Sequence, residues 1–126
     1  MKIEAHDRSR LAKTDQEHLA LIASDADWFA RSSVDVQALR EAKEGPFGKL
    51  SEEAYNEFLN SLVFSQGGLA SASYKPLMAE LTLSDMNEVL GRFGIDTNLA
   101  ADHDGFACTS PHTCTSATLS ICMSNC

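Results

Sequence analysis

The chain has 126 residues, with 18 acidic against 10 basic side chains and a formal charge of -8. That length fits one small domain, and the acidic balance argues against nucleic acid or an anionic membrane as a partner while favouring a basic protein surface. No run of about 18 apolar residues is present to span a bilayer, and Met1 to Arg10 carries charge with no apolar stretch behind it, unlike a secretory signal, so the chain is expected in the cytoplasm with reduced thiols.

Residues 1 to 13 have no clear hydrophobic period and are expected to be loose. Thr14-Asp-Gln-Glu17 is a capping-box pattern. Leu19, Ile22, Ala23 and Ala26 follow at helical spacing, predicting a helix to about Ala30. Val36, Leu39 and Ala42 predict a second helix, stopped by Gly45-Pro46 and Gly48. The third is the clearest. Ser51 is its N-cap, Leu50 and Tyr55 fit a hydrophobic staple, and Glu52 and Glu53 suit the dipole of the first turn. Tyr55, Phe58, Leu59 and Leu62 then form an apolar stripe, and Gly67-Gly68 is read as its end. Leu69 to Tyr74 is small and polar, and Pro76 opens another turn. Ser84 is read as the cap of a short helix carrying Met86, Val89, Leu90 and Phe93, closed by Gly94. Ile95 to Phe106 reads as an exposed linker. Such stripes are most often core, although an amphipathic helix can also dock into a partner's groove.

The composition changes at Ala107-Cys108. All four cysteines lie in Cys108 to Cys126, with eight hydroxyl residues: Thr109, Ser110, Thr113, Thr115, Ser116, Thr118, Ser120 and Ser124. No Lys, Arg, Asp or Glu occurs there. Ordering a backbone residue costs roughly 1–2 kcal/mol, while fully burying Leu119, Ile121 and Met123 returns about 1.5–3 kcal/mol each. Taken alone, this tail needs covalent cross-links or stays disordered.

Three chemistries compete for it. Disulfides fit the even cysteine count, with three possible pairings. Zinc could use Cys108, His112, Cys114, Cys122 and Cys126, but no C-x-x-C spacing is present. The third chemistry uses the hydroxyls. An enzyme eliminates water from Ser or Thr, and a cysteine thiolate adds to the resulting dehydroamino acid to close a thioether ring. Free cysteine is only a few per cent thiolate at neutral pH, so the closure calls for a cyclase that lowers the thiol pKa.

On these residues the chain resembles a lanthipeptide (lantibiotic) precursor. Residues 80 to 91, ELTLSDMNEVLG, are similar to the recognition segment in leaders handled by bifunctional synthetases. Gly105-Phe-Ala-Cys108 is similar to the leader–core junction of the cinnamycin group. Leu21-Ile-Ala23 with Trp28-Phe29-Ala30 resembles nitrile-hydratase-like leaders. The leader is longer than most, and the double glycine Gly67-Gly68 lies far from the tail. Cutting there would release residues 69–126 and retain the recognition segment, so the junction at Ala107-Cys108 is preferred.

The resemblance implies Cys108, Cys114, Cys122 and Cys126 as thioether donors and the eight hydroxyls as dehydration candidates. Spacing suggests rings from Ser110 to Cys114 and from Thr118 to Cys122. Cys126 would close onto Ser120 or Ser124, and Cys108 would close in the reverse direction or stay free. Leader recognition is expected at Leu81, Leu83, Met86, Val89 and Leu90. The implied partners are a lanthipeptide synthetase or dehydratase and cyclase, a leader peptidase and an exporter. The mature peptide would be secreted toward a membrane or cell-wall lipid.

The expected fold is mostly α: a helical extension over 1–48, a helical recognition region over 49–94, a disordered linker over 95–107 and an unstructured core peptide over 108–126. With no nucleophile–base pattern or phosphate loop, neither an enzyme nor a cofactor is expected. Two alternatives stand beside the precursor reading: a disulfide-bonded secreted peptide or toxin exported without a signal, and a helical module with a zinc-binding tail.

Overall fold

The computed structural model describes residues 10–43 and 45–126. Among the described residues, six α-helices and a 3-10 helix pack beside one four-stranded antiparallel sheet, and the C-terminal tail supplies its longest strand. The expectation of a mostly α chain with an unstructured tail is therefore overturned.

Helix α1 (Asp15–Ala23) starts where the sequence indicates, with the Thr14 hydroxyl accepting from the Glu17 amide. It stops at Ser24, well short of Ala30. The Ser24 hydroxyl folds back onto the Leu21 carbonyl, and the Arg31 guanidinium collects the carbonyls of Ile22, Ser24 and Ala26. Those side-chain bonds compete with helix continuation. Helix α2 (Ser33–Glu41) gives way to a 3-10 helix (Gly45–Lys49), which delivers Phe47 to the core. Helix α3 (Glu52–Ser61) is capped by Ser51, as its sequence predicts.

Gly67-Gly68 does not end that helix. It closes a β-hairpin between β1 (Val63–Ser65) and β2 (Gly68–Ser73). Gln66 and Gly67 both have positive φ, 57° and 93°, as a two-residue primed turn requires. Helix α4 (Lys75–Met78) carries Pro76 in its first turn. Helix α5 (Leu83–Arg92) is capped by Thr82 rather than Ser84, in a reciprocal capping box with Asp85. It ends at Gly94, φ 80°, where the Gly94 and Ile95 amides return to the carbonyls of Gly91 and Leu90.

The stretch read as a linker is ordered. Helix α6 (Thr97–Asp102) takes Asp96 as its N-cap, and Ile95, Leu99 and Ala100 are buried. Few large apolar residues mark this segment; Ile95 and Leu99 face inward, while Phe106 is exposed. Of the N-terminal stretch expected to be loose, residues 1–9 lie outside the described residues. Leu11 and Ala12 are buried, and Ala12 bridges Ile95.

The sheet order is β1-β2-β4-β3, with β3 Asp104–Ser110 and β4 Thr113–Cys122. Ser71 of β2 lies opposite Cys122 of β4, so strands fifty residues apart in sequence are neighbours. The main core gathers Phe47, Phe58 and Phe93 with ring centroids 6.3–6.4 Å apart, and Ile121 and Met123 of the tail join it. A smaller cluster holds Ala70, Cys122 and Cys126, with Val63 and Cys108 against it. The tail orders because the rest of the molecule supplies what it lacks alone: a partner strand for its backbone and a core for two of its three large apolar side chains.

Candidate functional site in the C-terminal hairpin

Strands β3 and β4 form a hairpin turning at Pro111-His112. Its base is buried and its tip is not. Thr109, Ser110, Thr113, Thr115, Ser116, Thr118 and Ser124 are exposed, while Ser120 is buried beside Ile121. At the tip the Thr115 hydroxyl donates to Thr109 across the strands. The Ala107-Cys108 junction lies within β3, opposite Thr115 and Cys114. β3 is an edge strand of the sheet.

The register with β3 is broken between Phe106↔Ser116 and Asp104↔Ile121, so residues 117–120 have no partner in β3, although Ser120 pairs with Ser73 of β2. Leu119 there has a φ of 60°. Eight extended residues would span about 26 Å, so the chain doubles back across this break to bring Cys114 and Cys122 to a Cα separation of 5.9 Å and into one disulfide. A second disulfide joins Cys108 to Cys126, Cα 5.8 Å apart. The residues directly opposite in register, Cys108 and Cys114, are not bonded to each other. The four proposed thioether donors thus lie in two neighbouring pairs, each sulfur facing another sulfur. Cys126 Sγ also lies 3.6 Å from the carbonyl oxygens of Ser110 and Thr113, at the folded-back tip.

The C-terminal turn is pinned from outside the hairpin. Asn125 is fully buried, and its amide donates to the carbonyls of Ser65 (2.9 Å) and Gly68 (3.3 Å). The Cys108 amide donates to the Ser71 hydroxyl at 3.0 Å, and the Cys122 amide to the His103 carbonyl at 3.2 Å. Sequence reading missed Asn125 and Ser71, since a polar residue's burial depends on contacts remote in sequence.

The five expected recognition residues divide. Val89 and Leu81 belong to the core at 1% and 8% exposure. Met86 and Leu90 are half-buried, and Leu83 is 74% exposed. Leu83, Met86, Val89 and Leu90 line one side of an apolar cavity of about 250 Å³ between α5, α6 and the sheet, with Ala72 and Ile121 opposite. At its rim the Tyr74 hydroxyl donates to Asp104. Burial and that bond push the Tyr74 pKa up to about 12, so it stays a neutral donor. Among the described residues no helix is long and apolar enough to cross a membrane.

Comparison with protein-family models, curated proteins and solved structures found no match to this chain.

Proposed function

We propose that this chain is a ribosomal precursor peptide whose C-terminal hairpin is the substrate of a dehydrating, thioether-forming enzyme. The observation that carries the reading is the exposure of seven of the eight tail hydroxyls, six on the hairpin and Ser124 just after it, in a stretch without Lys, Arg or carboxylate side chains beyond Asp104, beside four cysteines joined in two neighbouring pairs. A modifying enzyme needs to reach the hydroxyls, and ring closure needs the sulfurs near them. Reduction of both cystines by a cellular thiol frees the sulfurs. Elimination then removes one water per modified hydroxyl, and addition of a thiol closes each ring without further change in mass. Placement of the Ala107-Cys108 bond in an edge strand suits a leader peptidase, because proteases can bind an extended segment by adding strand to strand. Leader docking falls to Leu83, Met86 and Leu90, the part of the recognition stripe that solvent reaches.

A second reading keeps the cystines, as a disulfide-stapled peptide exported without a signal, and both sulfur pairs favour it. Mass spectrometry of the tail from its native producer separates the two. Loss of water from the hydroxyls, with sulfurs resistant to alkylation before and after reductant, is the expected result. A tail lacking only two hydrogens per bridge, opened by reductant, would establish the second reading instead. For the leader, Leu83→Asp is expected to slow processing by the cognate enzyme while leaving the fold intact. Unchanged processing would remove α5 from the docking surface.

A further inference from the structure

Three of the four sulfurs share one site, and the fourth adjoins it through its bond to Cys122. The sulfurs of Cys108, Cys122 and Cys126 lie within 4.8 Å of one another, and Cys114 is bonded to Cys122. We propose that the reduced chain binds one Zn2+ ion on Cys108, Cys114, Cys122 and Cys126. A tetrahedral zinc with bonds of about 2.3 Å sets its sulfurs about 3.8 Å apart. Once reduced, each bonded pair therefore needs to separate by about 1.8 Å to reach that spacing.

Reduction does not release that arrangement. The backbone around each cysteine is held by bonds independent of the cystines: Cys108 to Ser71, Cys122 to the His103 carbonyl, and the Cys126 turn through buried Asn125. Ile121 and Met123 anchor the same strand in the main core. A dithiol reductant delivers two electrons and two protons to each cystine and is itself oxidised to a disulfide. The four thiols then lose their protons to solvent as they coordinate the cation, which deprotonates a bound thiol outright. Soft thiolate donors in a four-sulfur set select zinc over hard cations. No Lys or Arg lies in the tail to neutralise thiolates, and the bound cation offsets two of their four charges. His112, a ligand candidate by its position in sequence, sits at the exposed turn and is not part of the group.

This site belongs to the unmodified chain and stands apart from the thioether reading, since it requires only free thiols. The test titrates the reduced full-length chain with Co2+, then displaces it with Zn2+, under anaerobic conditions. One equivalent of cobalt with a sulfur-to-metal charge-transfer band and tetrahedral d–d bands is expected. Cys122→Ser and Cys114→Ser should each weaken binding by at least about 10–100-fold, the loss that even outer-shell partners cause. His112→Ala should bind like the parent chain. Cys114 is exposed, so its variant retains the fold, checked by circular dichroism. Absence of the charge-transfer band, undiminished affinity in either cysteine variant, or loss of binding in His112→Ala overturns the four-sulfur site.

Discussion

His18 is fully buried, and among the described residues neither ring nitrogen has a hydrogen-bond partner. Burial pulls its pKa below 6.5; Asp15 opposes the shift and His103 adds to it. The unfolded chain takes up this proton near pH 6.5 and the folded chain does not. Stability is therefore fully present above that pH and declines as pH falls below it, until the folded state also protonates. Urea midpoints should drop between about pH 7.5 and about pH 5.5, and His18→Leu should flatten the drop. An equal drop in the variant would assign the effect to other groups. Glu80 and Asp85 act lower. Hydrogen bonds from Ser51 hold the Glu80 carboxyl below its usual 4.5, and Lys49 holds Asp85 below 3.8, so their stabilisation fades only in more acidic solution. Arg31 is the other residue that several segments depend on. It donates to the carbonyls of Ile22, Ser24, Ala26 and Gly67, tying the end of α1 to the β1–β2 turn, and its guanidinium lies 4.3 Å from the Phe29 ring centroid. Arg31→Gln should cost about 2–3 kcal/mol in chemical denaturation, as expected for loss of charged hydrogen bonds.

Among the elements, helix starts were legible and strands were not. Thr14 and Ser51 cap their helices as their local patterns require, and Gly94 closes α5 because only a residue tolerant of positive φ fits there. Ser84 was the wrong cap because Thr82 has Asp85 three positions on, which completes a reciprocal box. The β2 strand escaped notice because its Leu69-Ala-Ser-Ala-Ser73 run shows no large apolar alternation. It is small because its neighbours are close. A Cβ placed on Gly68 would lie 2.3 Å from Ile22 Cγ2, a branched methyl with little freedom to move aside. Gly68→Ala should therefore destabilise by about 1–3 kcal/mol, the usual range for overpacking. A neutral result in thermal melts would mean α1 shifts freely against the hairpin. Thr82→Ala tests the cap directly and should cost about 1 kcal/mol.

For the whole molecule, the decisive feature is that the upstream helices and the tail share one core. Removing residues 108–126 strips β4 from β2 and takes Ile121 and Met123 out of the main cluster. The truncated chain should lose its sharp thermal transition and expose apolar surface to a hydrophobic dye. A cooperative transition in that truncation would show the upstream helices to be independent of the hairpin. Reduction is milder. The cystines close loops with sequence separations of 18 and 8. Each should contribute about 2–3 kcal/mol through the entropy of the unfolded chain. The reduced protein should therefore melt earlier and still melt cooperatively, since the backbone ladder between β2 and β4 remains.

What the sequence determined by itself was local or compositional. Cap residues act within three positions of themselves, charge is additive, and the separation of thiols and hydroxyls from charged side chains is visible by inspection. The apolar stripe of α5 was equally plain, but its division into buried Val89 and exposed Leu83 was not, because burial depends on what packs opposite. The cysteine pairing and the order of the tail were decided by the tertiary structure alone. A strand satisfies its backbone groups through a partner that can lie anywhere in the chain, and the partner here is a run of small residues fifty positions upstream of Cys122. Weighed as a separate peptide the tail lacks enough apolar surface to order; as the neighbour of β2, it completes a core the rest of the chain had already begun.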